Sequence, residues 1–283
     1  MGYKKVLKKI ARFILSSQPE TFTSVEVAQI NYGETLKGKK VIITGGGSGL
    51  GLAMAKKFVH EGATVMISGR RKEVLERAAK ELGASYLQFD VSDVSEAGAF
   101  LRQAKAQMGG LDCLVCNAGI SLHEGNIANV TPEDFDKQFN TNFRGSYFLA
   151  KEFLELKSSS ENVEGNLLFI TSETGDQCYD IPYGLTKAAL NSLVGALSRR
   201  VYRAGIRVNA VAPGVTLTDM TKDYAQFNNG NMYRECASGR TFLPEEVAEV
   251  ACFLLSDASK CISGEVIHCN AGNHLKAFWD NSQ

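Results

Sequence analysis

The sequence predicts an α/β fold, with seven parallel strands in one sheet and helices packed on both faces. Two observations predict it. From Gly38 onward, short β-branched or apolar runs alternate with stretches of helical period, and no second composition interrupts them. Such alternation joins parallel strands by right-handed crossovers, which cover both faces of the sheet. The second observation is a glycine cluster, Gly45-Gly46-Gly47-Ser48-Gly49-Leu50-Gly51, between the first of these strands and the first of these helices. Ligands in such sheets sit beyond the carboxyl ends of the strands, so the residues that close each strand are the ones to inspect.

Residues 1–37 precede the alternation. Tyr3, Val6, Leu7, Ile10, Phe13 and Ile14 share one helical face, and Lys4, Lys5, Lys8, Lys9 and Arg12 share the other. This basic amphipathic extension suits an arm packed on a neighbouring subunit, a peripheral membrane contact through residues 3–15, or disorder. It is not a secretory signal, because its apolar stretch is short, contains Arg12 and precedes no small-residue cleavage site.

The first strand, near 40–44, carries Val41, Ile42 and Ile43 into the glycine cluster. The first helix, near 49–60, sets Leu50, Ala53, Met54, Phe58 and Val59 on one face. A buried strand, a turn without side chains and a helix start leave free N–H groups and a positive dipole end at one point. That point suits a pyrophosphate. The second strand, near 63–68, runs into Gly69-Arg70-Arg71 ahead of a helix near 72–82. A sheet that binds NAD usually offers a carboxylate here for the ribose hydroxyls. Two arginines stand instead, and a guanidinium grips a 2′-phosphate well. NADP is the expected cofactor, with NAD as the alternative; the plainer reading makes Arg70 and Arg71 solvated residues opening the next helix. The third strand, near 84–89, closes on Asp90 and Val91. Its carboxylate suits an adenine amino group, or caps a helix over 93–108 that begins near Ser92.

The fourth strand, near 112–116, ends in Asn117-Ala118-Gly119, small enough to let a cofactor cross the sheet. Cys113 and Cys116 within it spell C-x-x-C, but residues three apart on a strand face opposite ways and cannot grip one metal. A helical stretch over 131–157 opens with Thr131 as cap, Pro132 as first residue and Asp134 completing a capping box. Its middle carries Asn140-Thr141-Asn142, polar residues that a helix interior disfavours unless they have partners or a task.

The fifth strand, near 165–171, ends in Thr171-Ser172-Glu173-Thr174-Gly175, and Asp180-Ile181-Pro182 then leads to a helix near 183–204. Tyr183 and Lys187 are four apart and share a helical face. Alone, the pair reads as surface decoration. Following a strand-end serine, in a sheet that opens with a phosphate turn, it becomes a candidate site. The sixth strand, near 206–212, leads to Pro213-Gly214 and a polar, aperiodic stretch over 215–240, expected to be a substrate lid. A helix near 244–256, a strand near 265–269 and a tail over 273–283 with the only tryptophan, Trp279, complete the chain.

Composition narrows the classes. The 31 basic and 31 acidic residues cancel, which advertises no nucleic-acid surface. No apolar run reaches the roughly 18 residues that a membrane-spanning helix needs. Seven scattered cysteines point to reduced thiols and a cytoplasmic setting. The four histidines show no ligand spacing, so no metal is expected.

In this order the motifs resemble those of the short-chain dehydrogenases/reductases, in their compact single-domain branch, over roughly 38–272. Thr44-Gly-x-x-x-Gly-x-Gly51 is similar to that family's cofactor turn, and Asn117-Ala118-Gly119 to its strand-four motif. Asn142 falls where its helix asparagine would, just before Arg144-Gly145. Ser172 and Tyr183-x-x-x-Lys187 match its catalytic trio. Arg207-Val208-Asn209 with Ala212-Pro213-Gly214 matches its sixth-strand motif, and Ile262-Ser263-Gly264-Glu265 the entry to the last strand. Three positions depart. Cys116 stands where a second asparagine is usual, and Asn270-Ala271-Gly272 replaces an aspartate and glycine pair. The interval from Ser172 to Tyr183 is a tight eleven residues, which leaves Thr171 as an alternative hydroxyl.

The resemblance implies a doubly wound, Rossmann-type sheet, assembly as a homodimer or homotetramer through the long helices, and NAD(P)-dependent exchange between a ketone and a secondary alcohol. It implies a catalytic set of Asn142, Ser172, Tyr183 and Lys187. With the strand-end readings above, the expected cofactor contacts are Thr44, Gly45, Gly47, Ser48, Gly49, Leu50, Gly51, Arg70, Arg71, Asp90, Val91, Asn117, Ala118, Gly119, Tyr183, Lys187, Pro213, Gly214, Val215, Thr216 and Thr218. An ammonium within about 4–6 Å lowers a phenol's pKa by roughly 1–3 units, the service Lys187 would give Tyr183. Ser172 would hold the substrate oxygen, and Asn142 would return the proton to Lys187 through a water relay. The substrate is expected to be a small carbonyl or alcohol compound: a sugar or polyol, which Glu173, Asp176 and Asp180 would suit if not merely solvated, a 3-oxoacyl compound, or a steroid-like ketone. An enoyl reductase is disfavoured, because those enzymes place tyrosine and lysine further apart. The alternative of another class, a non-catalytic cofactor sensor or scaffold on this fold, is opposed by the presence of the whole set.

Overall fold

The computed structural model describes residues 33–159, 163–221 and 236–275. The amphipathic stretch 3–15, most of the expected lid (222–235) and Trp279 lie outside the described residues. In chain order the elements are β1 (Lys40–Thr44), α1 (Gly49–His60), β2 (Thr64–Gly69), α2 (Lys72–Leu82), β3 (Ser85–Gln88), α3 (Ala97–Met108) and β4 (Cys113–Cys116). Then come α4 (Pro132–Gln138), α5 (Gly145–Ser158), β5 (Gly165–Ile170), α6 (Pro182–Val201), β6 (Ile206–Pro213), α7 (Pro244–Leu255) and β7 (Val266–Cys269). The seven strands form one parallel sheet in the order β3-β2-β1-β4-β5-β6-β7. The order reverses direction between β1 and β4. That reversal opens a crevice beyond the carboxyl ends of the strands.

Alternation along the strands divides the core into two layers. Val41 and Ile43 pack with Met54, Phe58 and Leu75 on one face, under α1, α2 and α7. Ile42 packs with Phe100, Leu101 and Phe153 on the other, under α3, α5 and α6. Cys113 belongs to the first layer and Cys116 to the second, as residues three apart on a strand require. Both thiols are buried, and burial pushes that of Cys113 up to about 12. The buried strip of α1 runs through Gly51, Met54, Ala55 and Phe58. Leu50, Ala53 and Val59, expected on the same face, flank this strip and are only partly buried.

Two helices differ from expectation. The stretch 93–108 does not start near Ser92. Asp90 accepts from both the backbone N–H (2.9 Å) and the hydroxyl (2.7 Å) of Ser92, closing a local turn, and α3 begins at Ala97. The stretch 131–157 is not one α-helix. Thr131 caps α4 by accepting the Asp134 N–H at 3.1 Å, but residues Phe139–Arg144 form a π-helical turn before α5 continues.

Two charged groups hold the frame together. Arg207 on β6 is buried and donates to the carbonyls of Ser256 and Ser259, both at 2.9 Å, tying the sheet to the end of α7. Glu61, fully buried at the end of α1, accepts from Thr35 N–H and pairs with Lys57, while the Glu61 carbonyl takes Leu36 N–H. Burial opposes its charge, but the bonds from Thr35 and Lys57 outweigh that and hold its pKa at about 2. Among the described residues no helix is long and apolar enough to cross a membrane.

Candidate active site

The glycine cluster leaves β1 and turns into α1 at the reversal of strand order. Gly45 has φ +66°, and a Cβ there would lie 3.0 Å from Asn117 Nδ2 and 3.1 Å from Ala118 Cα. A Cβ on Gly51 would come within 2.2 Å of the Gly45 carbonyl oxygen. Gly46, which the sequence reading left without a role, has its own: a Cβ there would lie 2.7 Å from Ile67 on β2. The turn is thus pressed against β2 on one side and β4 on the other, with no room for a Cβ at Gly45, Gly46 or Gly51. What remains is a cradle of backbone beside the start of α1, which fits a pyrophosphate.

A cleft of about 280 Å³ starts at this cradle. Gly45, Gly47, Ser48, Gly49, Leu50 and Gly51 line its floor. At one end stand Arg70, Arg71, Asp90 and Val91. Both arginine side chains are exposed, and neither pairs with a carboxylate among the described residues. Asn117, Ala118 and Gly119 form the middle, and Tyr183, Lys187 and Thr218 the other end. Thr171, the alternative hydroxyl, lines the cleft, as do Ser68, Thr141 and Met220, for which the sequence suggests no role. The Ser68 hydroxyl, near the end of β2, is buried without a partner among the described residues.

The remaining expected contacts stand behind the wall. Thr44 is 1% exposed; its hydroxyl accepts from Asn117 N–H (3.0 Å) and Ala118 N–H (3.1 Å), and donates to Val115 O. It therefore clips β1 to β4. Pro213 ends β6 opposite Cys269, and Gly214 N–H donates to the Cys269 carbonyl. Val215 accepts from Phe242 N–H, and the buried Thr216 hydroxyl donates to Gly214 O. These residues form a seam with the stretch 236–242.

At the far end three elements converge. Lys187, buried on α6, donates from Nζ to the Ile170 carbonyl at 2.9 Å, and Nζ lies 5.5 Å from the centre of the Tyr183 ring. Burial pushes the Lys187 ammonium down to about 8. Asn142, in the π-helical turn, accepts from Ile120 N–H and donates to Ile120 O, both at 2.8 Å, and to Thr186 Oγ1 at 3.3 Å. A Cβ on Gly119 would touch both Asn142 Oδ1 (3.4 Å) and Lys187 Nζ (3.6 Å), so the two side chains meet over that glycine. The partners that an asparagine inside a helix needs are thus present.

Ser172 stands two residues beyond the end of β5, is 8% exposed, and accepts from Thr174 N–H at 3.3 Å. Thr171, the alternative hydroxyl, donates to Val211 O on β6. Thr171 lines the cleft, whereas Ser172 is not among its lining residues. Of the three loop acids Glu173 is buried while Asp176 and Asp180 are exposed, and none of them lines the cleft. Glu173 accepts from Asn270 and Asn273, Asp176 from Asn191 and in contact with His268, and Asp180 from Ile127 N–H.

Comparison with known proteins gives a consistent picture. The model of a family described as enoyl-(acyl carrier protein) reductase matches residues 45–274. The chain is 31% identical to a 3alpha-hydroxysteroid dehydrogenase of Mediterraneibacter gnavus over 243 residues, 82% of this chain and 95% of that protein. It is 33% identical to the versicolorin reductase stcU of Emericella nidulans over 262 residues, 84% of this chain and 96% of that one. The structure of a 3-ketoacyl-(acyl-carrier-protein) reductase from Brucella melitensis complexed with NADH superposes with a TM-score of 0.76 at 32% identity, covering 85% of this chain and all of that chain.

Proposed function

This chain belongs to the short-chain dehydrogenase/reductase family of NAD(P)-dependent oxidoreductases, and on that premise we propose that it reduces a ketone to a secondary alcohol with NADPH. The observation that carries the reading is the meeting of Tyr183, Lys187 and Asn142 at one end of a cleft whose floor is a glycine-rich turn.

The residues present fit a dinucleotide. The turn from Gly45 to Gly51 would hold its pyrophosphate, Arg70 and Arg71 its 2′-phosphate, and Asp90 its adenine end. When bound, the nicotinamide supplies the hydride. Everything else falls to the protein. Ser172 donates a hydrogen bond to the substrate oxygen, polarising the carbonyl and fixing its place. The Tyr183 hydroxyl gives its proton to that oxygen as the carbon is reduced. The charge of Lys187 stabilises the phenolate left behind. Asn142 braces the loop after β4 against α6, which keeps Lys187 and Tyr183 in register.

We take the substrate to be a ketone on an apolar body, a 3-oxoacyl compound or a fused-ring ketone, in preference to a sugar or polyol. Glu173, Asp176 and Asp180, the carboxylates that would have greeted hydroxyl groups, do not line the cleft, and Glu173 is buried on protein donors. Met220, a large apolar side chain 39% exposed, lines the cleft, with Leu217 (38%) just before it; Tyr179 (41%) packs on Gly184 beside Tyr183. Assembly as a dimer or tetramer through α5 and α6 would cover Tyr147 and Leu185, each 42% exposed.

The direct test is a carbonyl panel assayed with NADPH and NADH in parallel, including an acetoacetyl thioester, a cyclic diketone, a 3-keto steroid and a keto sugar. Turnover of the apolar ketones with NADPH is expected. Activity confined to the keto sugar would overturn the substrate class, and no oxidation of either dinucleotide would overturn the catalytic reading.

A further inference from the structure

Glu173 follows Ser172 directly and is 6% exposed. Burying a carboxylate is costly unless it is well hydrogen-bonded. Here a single oxygen, Oε2, accepts from Asn270 Nδ2 at 3.1 Å and from Asn273 Nδ2 at 3.0 Å. Both donors come from the stretch that leaves β7. A charged acceptor holds such donors roughly twice as firmly as a neutral one. The Asn270 amide is itself fixed, since its Oδ1 accepts from Gly272 N–H and meets His274 Nδ1, each at 3.1 Å. Asp176, three residues beyond Glu173, is held from the same side by His268 Nε2 at 2.6 Å.

Asn273 faces two ways. While Nδ2 donates to Glu173, Oδ1 accepts from Ala237 N–H at 3.1 Å. Ala237 opens the stretch 236–242, which closes on the exit of β6: Phe242 N–H donates to Val215 O, and Leu217 N–H donates to Phe242 O, both at 2.8 Å. Thr218, one residue beyond Leu217, lines the cleft. One amide side chain therefore joins the segment beside the cleft to the residue next to Ser172.

We propose that Asn273 and Glu173 are positioning residues for the reaction: Asn273 transmits the placement of the 236–242 segment to Glu173, and Glu173 sets where the Ser172 hydroxyl stands. The inference rests on the role given to Ser172 above. The Ser172 backbone is held on one side by β5; on the other its carbonyl accepts the Gly175 N–H at 3.0 Å within the three-residue turn it caps, and the Glu173 anchor ties that turn to the stretch after β7. Loosening that anchor moves the hydroxyl without touching the glycine turn or the arginines. The signature is a fall in turnover with dinucleotide binding intact.

The experiment compares Glu173→Ala, Asn273→Ala, Asn270→Asp and the double variant Glu173→Gln/Asn270→Asp with the full chain. Three readouts are taken: kcat and KM for an acetoacetyl thioester and a cyclic diketone, NADPH binding by fluorescence, and hydrogen exchange of peptides over 170–176 and 236–243. Both alanine variants should lose on the order of 10-fold to 100-fold in kcat, the scale of a small misplacement in an aligned site, and bind NADPH as before. Asn270→Asp sets two carboxylates face to face and should lose as much. Adding Glu173→Gln restores a donor–acceptor pair and should recover most of kcat, which a merely destabilised loop would not do. Asn273→Ala should also speed exchange over 170–176, far away in sequence. Unchanged exchange there, or no recovery in the double variant, overturns the bridge. The exchange arm needs no turnover, so an inactive wild type would count against the enzymatic reading and leave the bridge still measurable. If Glu173→Ala does not fold, the half-buried Asn273 and the double variant carry the test.

Discussion

The ammonium of Lys187 lies 5.5 Å from the centre of the Tyr183 ring and donates to the Ile170 carbonyl at 2.9 Å. That carbonyl ends β5, two residues before Ser172, so one side chain ties the helix bearing the tyrosine to the strand that leads to the serine. The site thereby has a fixed geometry and a charge next to its phenol. The charge is held at a cost, since burial of Lys187 depresses its pKa to about 8.

Replacing Tyr183 by Phe should separate binding from chemistry. The ring stays, so the cleft keeps its shape and NADPH should bind as in the wild type. The proton donor goes, and kcat should fall by at least about 10²-fold, the usual scale of general acid–base help. Stopped-flow binding with steady-state rates checks this. Retained turnover would remove Tyr183 from the chemistry.

The depressed Lys187 pKa has a sign that can be followed. Folded, the group loses its proton near 8; unfolded, near its ordinary 10.5. Between those values the unfolded chain binds more protons, so stability rises with pH across that window, and below it the buried charge costs stability. A depression from 10.5 to about 8 corresponds to roughly 3 kcal/mol. Lys187→Met should therefore be more stable than wild type at pH 7 in urea melts, by about 1–2 kcal/mol once the lost bond to Ile170 is counted. The advantage should shrink as pH rises from 8 toward 10.5. A variant less stable than wild type at pH 7 would show that the bond outweighs the burial cost.

Much of this arrangement was legible in the sequence because strands advertise themselves locally. The run Val41-Ile42-Ile43 alternates between the two core layers, and the split of Cys113 and Cys116 follows from strand period alone. The glycine turn was equally local. What was not legible depends on partners distant in sequence. The π-helical turn at Phe139–Arg144 contains neither proline nor glycine to mark it, and only its packing on Ile120 and Thr186 gives Asn142 its bonds. Glu173 reads as a free acid because its partners lie elsewhere; Asn270 is 97 residues from it. Thr44 matched a cofactor motif, yet its hydroxyl faces β4, which a one-dimensional motif does not reveal.

Two glycines of the same region should respond oppositely to alanine. At Gly51 the new methyl would sit 2.2 Å from the Gly45 carbonyl and 2.7 Å from Asn117 Nδ2, so the backbone of the turn itself must move. Such overpacking costs about 1–3 kcal/mol, and the displaced cradle should weaken NADPH binding at least roughly 10-fold. At Gly69 the nearest atom is Leu75 Cδ2 at 3.7 Å, ordinary contact, and φ is not positive. Gly69→Ala should fold and bind nearly as wild type. Titrating NADPH against both proteins tests the turn's role. Equal behaviour of the two would mean that the cradle tolerates displacement.

In the proposed complex cofactor choice turns on Arg70 and Arg71, which follow Gly69 at the end of β2. Both are exposed, so a bond from either to a 2′-phosphate would be screened. A charge-assisted bond of this kind contributes about 1.5–3 kcal/mol, equivalent to roughly 10-fold to 100-fold in affinity. Substituting both by Ala should raise the Kd for NADPH by that factor and leave NADH nearly unchanged, since NADH lacks the 2′-phosphate. Rising ionic strength should erode the wild-type preference in the same direction, and the double variant should lose that salt dependence. A parallel fall for NADH and NADPH would instead place the guanidiniums on the pyrophosphate shared by both, and the assignment of NADPH would have to be withdrawn.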